Sequence, residues 1–271
     1  MHAASLTQCG ILCQRHDSCW GFNFLSGSGA CQLLPASIEL CGAEAGDARL
    51  SSEPGGAVGL LCPHTCLQLL QLRPATPGGL HQLAGWPVPA LCDQELDGGG
   101  WTLLLTSVSQ SWTEDGTLNL LTGRNQQSPT ISGDYSILEH GDYILSFGTG
   151  DRFLYRLEGQ AETGRQQWGG IWSSPRVSSL VRYAPDVTTQ LVTRFSEWTT
   201  TTHTVEDRLP WINVGFFTPA YLEYALTTSA DGSFWGTLIT RTGKGFYSHS
   251  PWMMVEAHDS GTVLYWVREN E

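Results

Sequence analysis

Cys92-Asp93-Gln94-Glu95-Leu96-Asp97-Gly98-Gly99-Gly100-Trp101-Thr102 joins a cysteine, several acids, three consecutive glycines and a large aromatic at the mouth of an apolar run. Glycines are placed in a row where the backbone needs positive φ or where side chains would clash. The run that follows, Trp101-Thr102-Leu103-Leu104-Leu105-Thr106, has the length and composition of a strand. The stretch therefore predicts a tight turn that delivers the chain into a core strand, with Trp101 packing inward.

The chain around it has 271 residues, 41% of them hydrophobic, which is enough for a sizeable core in one large domain or two unequal ones. Only 15% of residues are charged, aromatics reach 10%, and there are 11 Trp and 31 Gly, a composition of all-β or loop-rich extracellular proteins. The formal charge of −12, with Lys244 the only lysine, argues against nucleic acid or an anionic membrane as partner and suits cationic ligands or metal ions. No stretch reaches the roughly 18 apolar residues of a membrane span. The eight cysteines, at 9, 13, 19, 31, 41, 62, 66 and 92, contain no Cys-x-x-Cys pair. That spacing predicts disulfides in an oxidising compartment over zinc ligation, and so a secreted, extracellular protein. Met1-His2-Ala3-Ala4 shows no charged segment followed by an apolar one, so no signal peptide is visible, and no Asn-x-Ser/Thr acceptor occurs.

Upstream of the glycines, Pro63-His64-Thr65-Cys66-Leu67-Gln68-Leu69-Leu70-Gln71-Leu72 reads as a short amphipathic helix capped by Thr65, ending before the break Arg73-Pro74-Ala75-Thr76-Pro77-Gly78-Gly79. Two extended pieces follow, Leu80-His81-Gln82-Leu83 and Trp86 through Cys92. This order of cysteine, helix, Pro/Gly break, strand, and strand ending in the cysteine of a Gly-Gly-Gly-Trp motif resembles the opening of fibrinogen C-terminal-like domains. The resemblance implies a Cys66–Cys92 disulfide and an α+β, predominantly β domain over 62–271, a twisted antiparallel sheet with long loops. Strand-like runs continue at 143–147, 153–157, 180–183, 190–195, 213–217, 223–227, 237–240 and 262–267 between Gly, Ser and Asp turns. Trp168-Gly169-Gly170-Ile171-Trp172 and the ending Val255-Glu256-Ala257-His258 with Tyr265-Trp266-Val267-Arg268 look more similar to the intelectin branch of that superfamily than to fibrinogen.

In the first forty residues, Ser5 through Arg15 reads as a short helix, capped by Ser5 or Thr7, with Leu6, Cys9, Cys13 and Leu12 on one face. Trp20, Phe22 and Phe24 alternate as in a strand, Ser26-Gly27-Ser28-Gly29 makes a loop, and Ala30-Cys31-Gln32-Leu33-Leu34 is a second strand. A helix with two cysteines beside a hairpin resembles the core of a PAN/apple module over 1–41, shortened at its N-terminal flank. The resemblance implies pairs Cys9–Cys31 and Cys13–Cys19. Residues 42–61 are small and polar and read as a linker, bracketed by Cys41 and Cys62, which either pair with each other or leave one cysteine for an interchain bond.

Three constellations could carry chemistry. A serine hydrolase needs a Gly-x-Ser-x-Gly elbow between strand and helix, and neither Gly27-Ser28-Gly29 nor Gly232-Ser233 supplies that context, so no catalytic function is expected. No cofactor is assigned. Fibrinogen-like domains hold calcium in an Asp-rich loop, and the nearest candidate here, Ser229-Ala230-Asp231-Gly232-Ser233, offers one carboxylate and lacks the cysteine pair that follows the family's loop. Glu256, His258 and Asp259, with His249, are the only cluster with the composition of an intelectin calcium site. Tyr247, His249 and Trp252, in Gly245-Phe246-Tyr247-Ser248-His249-Ser250-Pro251-Trp252, combine aromatic faces with hydroxyls and suit a sugar or acetyl group. The expected function is lectin-like binding of glycans or acetylated cell-surface ligands, the alternative an extracellular matrix or adhesion protein that binds other proteins without a sugar pocket. A homo-oligomer fits either reading.

Overall fold

The structure, a computed structural model, describes residues 2–3, 5–15, 19–25, 27–35, 56–60, 62–108, 123–178, 180, 188–196, 211–212, 226–227, 237–239 and 261–269. The chain divides into two compact units, Met1–Gly100 and Trp101–Glu271.

The first unit opens with helix α1 (Leu6–Gln14), where Ser5 is extended and its hydroxyl accepts from the Gln8 N–H at 3.2 Å. Strands β1 (Cys19–Leu25), β2 (Ala30–Pro35) and β3 (Gly56–Leu60) form an antiparallel sheet in the order β2-β1-β3. Phe22 and Phe24, two apart on β1, point to one face and bury against Cys9, Cys13, Cys19, Cys31 and Ala3. Disulfides Cys9–Cys31 and Cys13–Cys19 bond α1 to the hairpin. Leu6 is exposed at the start of α1, and the chain before the helix adds Ala3 to the core, held by its N–H on the Gly29 carbonyl at 2.9 Å. One sequence expectation needs correction here. The 42–61 stretch is not linker throughout, because Gly56-Ala57-Val58-Gly59-Leu60 pairs with β1, its small residues passing as a loop by composition while its backbone completes the ladder.

Few apolar side chains support this small core, so its cross-links carry much of the stability. The double variant Cys9→Ser/Cys31→Ser, which opens a 22-residue separation, is expected to lose about 3 kcal/mol. Hydrogen exchange at the β1–β2 amides against denaturant measures it, and an unchanged midpoint would show the cross-link to be idle.

Also in the first unit, Thr65 caps α2 (Cys66–Leu72), its hydroxyl accepting from the Gln68 N–H at 3.1 Å. Strands β4 (Gly79–His81) and β5 (Ala90–Asp93) are antiparallel, and Cys66–Cys92 ties α2 to β5. Cys62 is disulfide-bonded as well, while Cys41 lies outside the described residues. The turn after Cys92 is built by its own polar residues. One Asp93 oxygen accepts from the N–H groups of Glu95 and Leu96, and the Gln94 amide donates to the Cys66 carbonyl while accepting from the Gly100 N–H. Gly99 has φ of +71°, and a Cβ there would collide with the Gln94 carbonyl, so this position requires glycine.

The second unit contains β6 (Trp101–Ser107), β7 (Tyr135–Ser136), helix α3 (Gly141–Ser146), β8 (Arg152–Gly159), β9 (Trp168–Pro175), β10 (Gln190–Phe195), β11 (Trp211–Ile212), β12 (Leu226–Thr227), β13 (Thr237–Ile239) and β14 (Val263–Glu269). Its main antiparallel sheet runs β10-β9-β8-β14-β6, with β7 on β6; β11-β12-β13 form a small second sheet. The described residues are thus predominantly β, as the composition predicts, and antiparallel, as the resemblance implies. The last strand, β14, inserts between β8 and β6, and these three are buried almost throughout, which is why Leu103-Leu104-Leu105 of β6 and Val263 through Val267 of β14 read as continuous apolar runs, whereas β8 carries Arg156 and Glu158 within its buried length.

The run 143–147, expected as a strand, is largely helix α3. Its apolar residues fit either period; in the helix Tyr143 and Phe147, four apart, meet edge to face at 4.8 Å. Asp142 accepts from the Leu180 N–H at 2.7 Å, and Arg176 donates to the Leu145 carbonyl at the helix end. Of the 180–183 run only Leu180 is described, and the expected strand at 213–217 lies outside the described residues.

One face of the sheet is aromatic. Tyr155 stacks on Trp172 at 5.4 Å and meets the Tyr265 ring edge-on at 6.0 Å. Burial pushes the Tyr265 phenol well above its ordinary value of about 10, with the Asp142 carboxylate adding to the shift, and burial does the same to Tyr135. Both groups hold their protons longer in the folded than in the unfolded state. Their contribution is therefore intact below about pH 10 and is lost as pH rises beyond it, where the unfolded chain releases protons that the folded chain keeps. Alkaline unfolding followed by fluorescence is expected to begin above about pH 10 and to be shallower in Tyr265→Phe; identical profiles would contradict this.

Candidate functional site

The other face of the sheet gathers charge. Arg156 and Glu158 lie two apart on β8 and so project to the same side, opposite Trp266 and Leu264 of β14. Both are 0% exposed. The Arg156 guanidinium lies 4.8 Å from the Trp101 ring and 4.9 Å from the Trp266 ring; Arg268 approaches Trp101 at 4.6 Å and Arg165 approaches Trp266 at 5.0 Å. The result is an alternating series, Arg268–Trp101–Arg156–Trp266–Arg165, in which each ring meets two cations and Arg156 meets two rings.

Glu158 supplies the one carboxylate in this set, and its oxygens are saturated. It faces Arg156 Nε at 3.2 Å, takes a two-pronged contact from Arg165 at 2.7 and 2.8 Å, and accepts from the Gln166 N–H at 2.9 Å. A charge this deeply buried is tolerated only when its lone pairs are filled by charged donors. Arg165 reaches it from the β8–β9 loop and keeps 28% of its side chain exposed. The same loop grips the start of β14: Ala161 donates to the Thr262 carbonyl at 2.9 Å, and Glu162 accepts from the Thr262 N–H at 2.6 Å.

Chemically the cluster holds and orients its own guanidinium groups and rigidifies a strand; it presents no nucleophile beside a base. Sequence reading passed over it. The signal was present in Arg156-x-Glu158, whose period of two in an apolar run puts opposite charges on one buried face.

The residues singled out from sequence are not brought together by anything described. Tyr247, His249, Trp252, Asp231, Glu256, His258 and Asp259 all lie outside the described residues. Among the described residues no set of three His, Cys, Asp or Glu side chains could hold a metal ion, and no helix is long and apolar enough to cross a membrane.

No curated protein matches the chain. Among solved structures the chain is similar to the fibrinogen-like globe domain of human ANGPTL6, at 16% identity and a TM-score of 0.41, covering 77% of this chain and 96% of that one. It is similar also to the fibrinogen-like globe domain of human ANGPTL2, at 16% identity and a TM-score of 0.41, covering 77% of this chain and 100% of that one. Residues 1–53 match the PAN domain family, and the disulfide-stapled helix and hairpin that open the chain lie within that match.

Proposed function

We propose that the protein is an extracellular, non-catalytic recognition protein that binds glycans or acetylated cell-surface ligands. The observation that carries the extracellular part is the PAN match over residues 1–53, stapled by Cys9–Cys31 and Cys13–Cys19, since disulfide-rich modules of this kind belong to oxidising compartments. Support for the glycan part comes from composition: Tyr247, His249 and Trp252 in a Gly/Ser/Pro-bounded segment offer flat apolar faces beside hydrogen-bonding groups, the pairing that sugar rings require. Asp231, Glu256 and Asp259 are the carboxylates a calcium ion would draw on in such a protein, oxygen donors being what that ion demands, and His258 stands between two of them in sequence.

Retention of the full chain on a mixed glycan surface, repeated with chelator, is the test. Retention that chelator reverses, with a calcium-dependent rise in Tm, supports the lectin-like reading. No retention and no rise would leave a matrix or adhesion protein that engages other proteins.

A further inference from the structure

Two guanidinium groups lie against the Trp266 ring, and they are held in different ways. Arg156 belongs to strand β8, is fully buried and lies close to a second ring, Trp101. Arg165 belongs to the β8–β9 loop, is partly exposed, and reaches inward to Trp266 and to the fully buried Glu158. The loop itself is strained: Gln160 and Gln166, near its two ends, are non-glycine residues at φ of +50° and +58°. A backbone that does not favour this shape is held in it by contacts, among them the ion pair of Arg165 with Glu158 and the bond from the Thr262 N–H to the Glu162 carboxylate.

An aromatic ring joined to a carboxylate that receives two parallel N–H groups is the chemistry by which guanidinium is recognised, and a lysine ammonium cannot reproduce the planar fork. We propose that Trp266 and Glu158 form a guanidinium site which Arg165 occupies as a tethered ligand of the chain's own, and that an arginine side chain of a protein partner takes this site by displacing the loop. The exchange replaces like with like, so the buried carboxylate stays paired throughout. The acidic balance of the chain, −12 with one lysine, draws a basic partner toward it. The site shares no residue with 245–259, and its failure would leave the glycan reading untouched.

The experiment compares the full-length protein with Arg165→Ala, titrating each with acetyl-arginine-amide and with acetyl-lysine-amide at constant ionic strength while tryptophan fluorescence and Tm are read. Arg165→Ala is expected to bind the arginine compound about tenfold more tightly than wild type does and to regain Tm with it, the lysine compound being at least about tenfold weaker. Equal responses to the two compounds, or none, would overturn the proposal. Should Arg165→Ala fail to fold, Arg165→Lys keeps the loop charge but loses the fork; arginine-selective binding there supports the proposal and its absence refutes it.

Discussion

Glu158→Gln is expected to destabilise the second unit by about 3–5 kcal/mol, the cost of breaking a buried ion pair from one side. Glutamine keeps the shape of the side chain and removes its charge. Arg156, with no exposed surface and Trp101 and Trp266 near it, would then sit beside a neutral amide whose NH2 group competes with its own donors. Arg165 would lose one prong of its partner whichever way the amide turns, and the Gln166 N–H would keep its acceptor only where the amide oxygen takes the Oε2 position. The measurement is denaturant unfolding followed by tryptophan fluorescence, with the loss appearing in the midpoint at unchanged slope. A companion variant separates charge compensation from mere tight packing: Glu158→Leu combined with Arg156→Met should cost less than Glu158→Gln alone, because an apolar pair leaves no orphaned ion. If the double variant is the worse of the two, the cluster is not held by charge balance.

Trp101→Ala should cost about 3–5 kcal/mol, in the range of large aromatic deletions from a core. Trp101 is 0% exposed, begins β6, and has both Arg156 and Arg268 against its ring. Its removal opens a cavity and at the same stroke takes one aromatic neighbour from a buried cation, so the loss should exceed that of Trp101→Phe, which keeps a ring in place. Thermal and denaturant unfolding of the two variants give the comparison. Similar losses for Ala and Phe would mean that the indole is a space-filler without a role toward the guanidinium groups.

Legibility in the sequence followed from how local each device is. The turn at Gly98–Gly100 could be read because the residues that need positive φ are glycines and the apolar run starts at the next residue. Thr65 and Ser5 could be read as caps because a cap bonds only three residues ahead. Helix α3 could not, because Tyr143 through Phe147 satisfies both periods and the deciding partners, Leu180 and Arg176, are thirty or more residues away in sequence. Strand β3 was hidden by its own composition, in which Gly56, Ala57 and Gly59 imitate a loop around a single valine. The charged cluster was half visible: Arg156 and Glu158 are two apart, but Arg165 joins them only after the chain has turned out of β8. The residues proposed for ligand contact, from Asp231 to Asp259, rest on their composition and on family resemblance.

The recognition function meets its most direct test in retention of the full chain on a mixed glycan surface, compared with a Tyr247→Ala/Trp252→Ala variant whose Tm is measured alongside. The expected result is retention by the wild-type chain that falls about tenfold or more in the variant at unchanged Tm, the loss expected when two proposed aromatic contacts to a ligand are removed. Equal retention by both proteins, or none by either, would contradict it.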